Sequence, residues 1–294
     1  MAEKSLIDLI KDLRERTGAG LMDCKGALLA NDSDLDKATD YLREKGLAKM
    51  AKKANRIAAE GLTIVKTCDK CCCGTVVIAE INCETDFVAK GDAFHALVEN
   101  IADILLSEKP ASIEEARELC SSLFTDATVK LGEKLDLRRF EIITKEEGQL
   151  IPTYTHMGGK ISVAVLLSGG DDEFGKQIAM HIAANSPQYI SVEDIPADVV
   201  KHENEVELAA SQNDEKLANK PLPVLEKIIA GKVNKHFAEV TLAAQPFLID
   251  DTKTIEQVLK EKNIKVLKFV RYQVGEGIEK RQDDFVSEVM NQAK

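Results

Sequence analysis

The stretch Glu80-Ile81-Asn82-Cys83-Glu84-Thr85-Asp86-Phe87-Val88-Ala89-Lys90 changes the period of the chain, and that change limits what its surroundings can become. Before it, Thr75-Val76-Val77-Ile78-Ala79 is apolar and β-branched, which predicts a strand. After it, Phe87, Phe94, Val98, Ile101 and Leu105 recur at three- and four-residue spacing, which predicts a helix. Strand must therefore give way to helix within a few residues. Thr85 and Asp86 suit that point, because their side-chain oxygens accept a backbone N–H left unpaired in a first helical turn. Phe87 follows at once, and its ring has two readings. It is either a core or staple aromatic that seals the helix start, or a wedge pointing outward from the tip of the junction.

What the junction could serve is limited by composition. With 294 residues, 44% hydrophobic and 30% charged, the chain can bury more than one core, so two or three structural units are expected. The net charge of −11 disfavours a direct nucleic-acid partner, since gripping phosphates needs clustered Lys and Arg. No run of about 18 apolar residues occurs. Met1-Ala2-Glu3-Lys4-Ser5 also lacks an apolar signal core, so no membrane association and a cytoplasmic location are expected.

Upstream, Leu6, Ile7, Leu9, Ile10 and Leu13 form a helical stripe that ends at Thr17-Gly18-Ala19-Gly20. Leu21, Met22, Cys24, Ala27 and Leu28 carry a second helix, and Asp34 caps a third that holds Leu35, Ala38, Tyr41 and Leu42 before Gly46. Residues 1–47 read as a three-helix docking module, with an N-terminal brace as the plainer alternative. Residues 48–60, with Lys49, Lys52, Lys53 and Arg56, read as a helical or flexible linker with a solvated basic face.

From Gly61 the body reads as written twice. Leu62 to Cys68 and Gly74 to Ile81 predict a hairpin before the Phe87 helix; Arg139 to Thr144 and Lys160 to Leu167 predict strands before a helix from Glu173 to Asn185. Thr85-Asp86-Phe87 aligns with Asp172-Glu173-Phe174. The expected fold class is α+β, with two related subdomains of antiparallel sheet and helix, 61–138 and 139–188 with 238–274. A helical excursion through Ile113, Leu119, Leu123, Ala127 and Leu131 lies between them. Ile195, Val199, His202, Val206, Ala209, Asn213 and Leu217, then Leu225, Ile228, Ile229, Val233 and Phe237 after Pro221-Leu222-Pro223, predict a projecting antiparallel helical hairpin over 189–237. It is a candidate for contact with another chain, and packing on itself is the alternative. Val240-Thr241-Leu242 and Val266 to Val274 predict returning strands, with Ile255, Val258 and Leu259 on a helix between them. Phe285, Val286 and Val289 give 275–294 a C-terminal helical module.

Four of the seven cysteines stand in Cys68-Asp69-Lys70-Cys71-Cys72-Cys73. The Cys-x-x-Cys spacing suits a zinc knuckle, but four ligands are needed and only Cys83 is nearby, so reduced, exposed thiols are expected. His95, His156, His181, His202 and His236 are scattered, with no pair spaced for a metal on one helical face. His95 and His181 read as partly buried helix residues; Tyr154-Thr155-His156-Met157-Gly158-Gly159 reads as a contact loop. Phosphate-binding glycine loops, nucleophile elbows and paired carboxylates are all missing from the sequence, so no enzyme, cofactor or resident metal is expected.

Leu13-Arg14-Glu15-Arg16-Thr17-Gly18-Ala19-Gly20-Leu21-Met22-Asp23-Cys24-Lys25 and the Glu80 to Lys90 stretch resemble the two signature segments of the translation elongation factor Ts family. His181-Ile182-Ala183-Ala184, Gln245-Pro246-Phe247 and Val274-Gly275-Glu276-Gly277-Ile278-Glu279-Lys280 fit it too, so the resemblance runs along essentially the whole chain. Gly26 departs from the polar helix former usual there, and the cysteine-rich turn is no family feature. The resemblance implies a guanine-nucleotide exchange factor for elongation factor Tu, with no chemistry of its own and a three-helix module that looks ubiquitin-associated-like. It implies that Asp86 and Phe87 insert near the Mg²⁺ site of Tu while Val88 and Ala89 support the turn. Arg14, Thr17, Met22, His156 and Phe247 are the further partner contacts it implies, and the hairpin is the candidate for a homodimer contact. The rival readings are an adaptor built on the three-helix module and a zinc or thiol protein built on the cysteine turn.

Overall fold

The structure, a computed structural model, describes residues 5–68, 74–212 and 222–279. It is a mixture of helices and small sheets, and the chain divides into two compact units. The first comprises Met1–Ile142, Thr155–Ser162 and Tyr272–Lys294; the second comprises Ile143–Tyr154 and Val163–Arg271.

The first unit opens with α1 (Leu6–Thr17), α2 (Leu21–Ala30) and α3 (Leu35–Lys53). Ser5 caps α1, accepting from Asp8 N, and Asp34 caps α3, accepting from Asp36 N and Lys37 N. Gly18 ends α1 in the left-handed conformation at φ 66°, which a glycine adopts without a Cβ clash. Leu13, Cys24, Ala27, Leu28, Ala38 and Leu42 close the small core these helices share. The third helix does not stop before Gly46, as the sequence led us to expect, but runs on into the expected linker. Gly46 serves a close approach: an added Cβ would lie 2.6 Å from Val129 Cγ2 and 3.3 Å from the carbonyl oxygen of Thr125.

Strands β1 (Glu60–Thr67) and β2 (Thr75–Cys83) pair antiparallel from Glu60↔Cys83 to Thr67↔Val76. The short helix α4 (Asp86–Ala89) follows, then α5 (Asp92–Glu108), α6 (Ile113–Leu119), α7 (Ser121–Leu131) and β3 (Asp136–Thr144). The sheet order is β1-β2-β3, so β2 is central, and every one of its residues is buried. Its alternation divides two environments. Val77, Ala79, Ile81 and Cys83 join a core with Phe94, Val98, Ile101 and Leu105 of α5, the helical stripe predicted from spacing. Glu80 and Asn82 occupy the other face. What looked like one helix from Phe87 onward is two, broken at Lys90-Gly91, where Gly91 takes an extended N-cap conformation for α5.

In the second sheet, of order β4-β5-β6, the strands are β4 (Thr153–His156), β5 (Ile161–Leu167) and β6 (Val266–Gln273). Tyr154-Thr155-His156, expected in a loop, are therefore strand residues, and the turn comes at Met157-Gly158-Gly159, all at positive φ. Helix α8 (Asp172–Asn185) follows β5, then α9 (Ala197–Gln212), α10 (Leu222–Val240) and α11 (Ile255–Lys262). The α9 and α10 helices pack on each other around Ile195, Leu225, Ile229, Val233 and Phe237. Val240-Thr241-Leu242 is not a strand: α10 persists to Val240, Thr241 makes a lone bridge to Tyr189, and Leu242–Ala244 is one 3-10 turn. The expected apolar positions Asn213, Leu217, Phe285, Val286 and Val289 lie outside the described residues, as do 69–73 of the cysteine turn.

Candidate partner-binding site

The candidate site grows out of the end of β2. At Thr85 the backbone is still extended, φ −124° and ψ 154°, and its Oγ1 accepts from Val88 N at 3.3 Å. That caps α4, a single turn too short to persist by its own hydrogen bonds. Ala89 is buried and Val88 packs against the unit's core, which anchors the turn from below. Asp86 and Phe87 are left facing away. Phe87 is 84% exposed, beyond any other large hydrophobic side chain among the described residues. Exposing a whole aromatic ring forgoes about 1.5–3 kcal/mol of burial. The core or staple reading of Phe87 is thereby excluded in this conformation.

Three neighbours hold the chain just before the turn. One carboxylate oxygen of Glu133 accepts from the backbone N–H of Glu84 and of Thr85, each at 3.0 Å, and the other accepts from Thr85 Oγ1 at 2.5 Å. In return, Glu84 accepts from Lys134 N at 2.6 Å and from the Arg56 guanidinium at 3.2 Å. Cys83 Sγ donates to the carbonyl oxygen of Thr85 at 3.2 Å. Burial, reinforced by the charge of Glu133, pushes that thiol up to about 12, so it stays protonated. Glu133 and Lys134 escaped the sequence reading because no periodicity links them to the junction. Their only signal is their place after Gly132, whose left-handed C-cap ends α7.

Asp86 is paired one helical turn along with Lys90 at 2.6 Å. The Lys90 hydrogen bond holds the Asp86 carboxyl below the usual carboxylate range, and Asp86 in turn raises the Lys90 ammonium. On the face of β2 opposite the unit's core, Glu80 is wholly buried. It accepts from Arg138 Nη1 at 3.0 Å, Arg139 Nε at 2.6 Å, Asn82 Nδ2 at 3.1 Å and Gly275 N at 2.8 Å. Two guanidiniums and two neutral donors make a buried charge tolerable there.

The remaining residues implied as contacts fall in different settings. Arg14 and Met22 are exposed on the three-helix module, Met22 at 72%. Thr17 is half-buried, its Oγ1 donating to the Leu13 carbonyl at 2.7 Å and accepting from Ala19 N at 3.3 Å. His156 is exposed at the end of β4. Phe247 offers no surface: it is buried, with Phe174 at 6.4 Å and His181 at 6.3 Å between ring centroids. His181 is not partly but completely buried. Nε2 lies 2.8 Å from Gln245 Oε1 and Nδ1 accepts from Leu248 N at 3.3 Å, and burial lowers its pKa.

Among the described residues no three His, Cys, Asp or Glu side chains converge as a metal site, and no helix is long and apolar enough to cross a membrane. Cys24, Cys83 and Cys120 are free and buried, whereas Cys68 is disulfide-bonded where a reduced thiol was expected. A family model described as Elongation factor TS matches residues 84–276, more than half of the chain, from the residue before the Thr85 cap to the turn whose Gly275 amide reaches Glu80.

Proposed function

The chain belongs to the elongation factor Ts family, whose role is guanine-nucleotide exchange on elongation factor Tu in translation elongation, and we propose that it performs that exchange through the Asp86-Phe87 wedge. The observation that carries the proposal is the ring of Phe87, 84% exposed on a turn whose Val88 and Ala89 are anchored in the core. Inserted into the GTPase domain of Tu, a ring of this size contributes about 1.5–3 kcal/mol, enough to support roughly a tenfold to hundredfold effect by itself. Mg²⁺ holds a near-ideal octahedron and bridges phosphate oxygens to the GTPase, so a small displacement of its surroundings loosens GDP. Asp86, ionised beside Lys90, brings negative charge to that region. Coupling is reciprocal, so nucleotide weakens the hold on this chain by the factor by which this chain weakens nucleotide.

The wedge needs a broader grip. Arg14, Thr17 and Met22 of the module at 1–47 supply part of it and His156 another. Phe247, being buried, contributes by packing. The protein works in the cytoplasm without touching nucleic acid, and the hairpin is its surface for a second copy. Release of a fluorescent GDP analogue from elongation factor Tu tests the proposal. The unaltered protein accelerates release, and Phe87→Ala and Asp86→Ala slow it while leaving circular dichroism unchanged. No acceleration by the unaltered protein overturns exchange in favour of the adaptor reading; acceleration that survives both substitutions overturns the wedge alone.

A further inference from the structure

The turn that presents Phe87 cannot hold itself. Its helix is one turn long, and its side-chain cap is the oxygen of Thr85. A hydroxyl carries one proton; donated to Glu133 Oε1 at 2.5 Å, it leaves the oxygen lone pairs for Val88 N. The second oxygen of Glu133 takes the amides of Glu84 and Thr85. Three donors from two consecutive residues thus converge on one carboxylate, and such charge-assisted bonds are shorter and stronger than neutral ones. The return bond from Lys134 N to Glu84 closes a clasp between segments 50 residues apart. The clasp reaches neither Asp86 nor Phe87 directly, so it acts on the direction in which they leave the surface.

We infer that Glu133 is a positioning residue for nucleotide exchange, fixing through the Thr85 cap the pose in which Phe87 and Asp86 meet the GTPase. The inference rests on the wedge reading above. A wedge held in its insertion pose is engaged in a larger fraction of the complexes that the broader contacts assemble, so losing the clasp lowers the rate of release within the complex and leaves the assembly itself to those contacts. Without the clasp the broad contacts still form, but the ring is less often aimed at its target.

Glu133→Ala removes all three acceptor contacts, and Glu133→Gln keeps the volume while replacing one acceptor oxygen with a donor. With each, release of a fluorescent GDP analogue from elongation factor Tu is followed as a function of this protein's concentration. The maximal rate falls on the order of tenfold for Glu133→Ala, the size of losing a hydrogen bond to a charged group, and less for Glu133→Gln. The half-saturating concentration stays where it was. In a background of Asp86→Ala with Phe87→Ala, adding Glu133→Ala slows release no further, because neither side chain of the wedge remains to be aimed. Unchanged maximal rates, a loss confined to half-saturation, or a further loss in that background overturn the inference, the last being the mark of a merely structural residue. If the unaltered protein does not accelerate release, or Phe87→Ala does not slow it, the wedge reading itself has failed. Should Glu133→Ala not fold, Glu133→Gln alone and in the same background carries the test.

Discussion

At the start of α4, Phe87 is the second helical residue after the cap Thr85; at the start of α8, Phe174 is the third after the cap Asp171. Each helix residue turns about 100°, so a one-residue offset from the cap sends the rings to different sides. Phe87 is 84% exposed and Phe174 3%. Phe174 meets Phe247 edge-on at 6.4 Å, with the Lys262 ammonium 4.8 Å above its ring. Aligned by their phenylalanines, Thr85-Asp86-Phe87 and Asp172-Glu173-Phe174 look equivalent; aligned by their caps they are one residue out of step. The distance of an aromatic from the residue that accepts the first free amide decides whether its own chain can cover it.

The contrast breaks most sharply if the buried ring proves dispensable. Phe174→Ala should cost about 3–5 kcal/mol, read from urea unfolding, since it empties a packed site shared with Phe247 and His181. Gly175→Ala tests whether the Phe174 helix sits as close to its neighbour as it must. An added Cβ would meet Pro152 Cγ at 2.7 Å, a rigid ring, so about 1–3 kcal/mol should be lost, measured the same way.

His181 gives the buried side a pH dependence. Its folded pKa lies below its ordinary value, so between the two the unfolded chain binds more protons. Stability is therefore full above about pH 6.5 and falls as pH drops below it, by at most about 1.4 kcal/mol per unit. Unfolding midpoints at two pH values on either side check this, and His181→Gln should flatten the difference. Phe87→Ala should have the smallest effect on the fold, within about 0.5 kcal/mol in the same unfolding experiment, while slowing nucleotide release. A large loss of stability there would mean that the ring is core in solution.

Strong periodicity was readable without the structure. The stripe through Phe94, Val98, Ile101 and Leu105 is buried as spacing required, and Asp34 caps α3. What failed was punctuation whose meaning depends on a distant neighbour. Gly46 read as a stop because a glycine after a stripe usually ends a helix, but Val129 makes it a point of contact. Thr241, between Val240 and Leu242, had β-type neighbours, yet α10 extends to its threshold. At the candidate site, Asp86 and Phe87 were visible as a pair while the direction of the ring was open. Glu133 was invisible, because a carboxylate that satisfies amides 48 and 49 residues away leaves no local pattern.

Glu80 sets a timetable for the chain. Its carboxylate sits in the central strand, and one of its donors, Gly275 N, is 195 residues further along. Contacts so distant in sequence form late, after the entropy of closing a long loop has been met. During synthesis at about 5–20 residues per second, β2 would exist for many seconds as a strand with a charged group it cannot yet enclose. The junction borne by that strand thus matures only when nearly the whole chain has emerged, and a product cut short before Gly275 would carry the complete Asp86-Phe87 sequence on an unfinished platform.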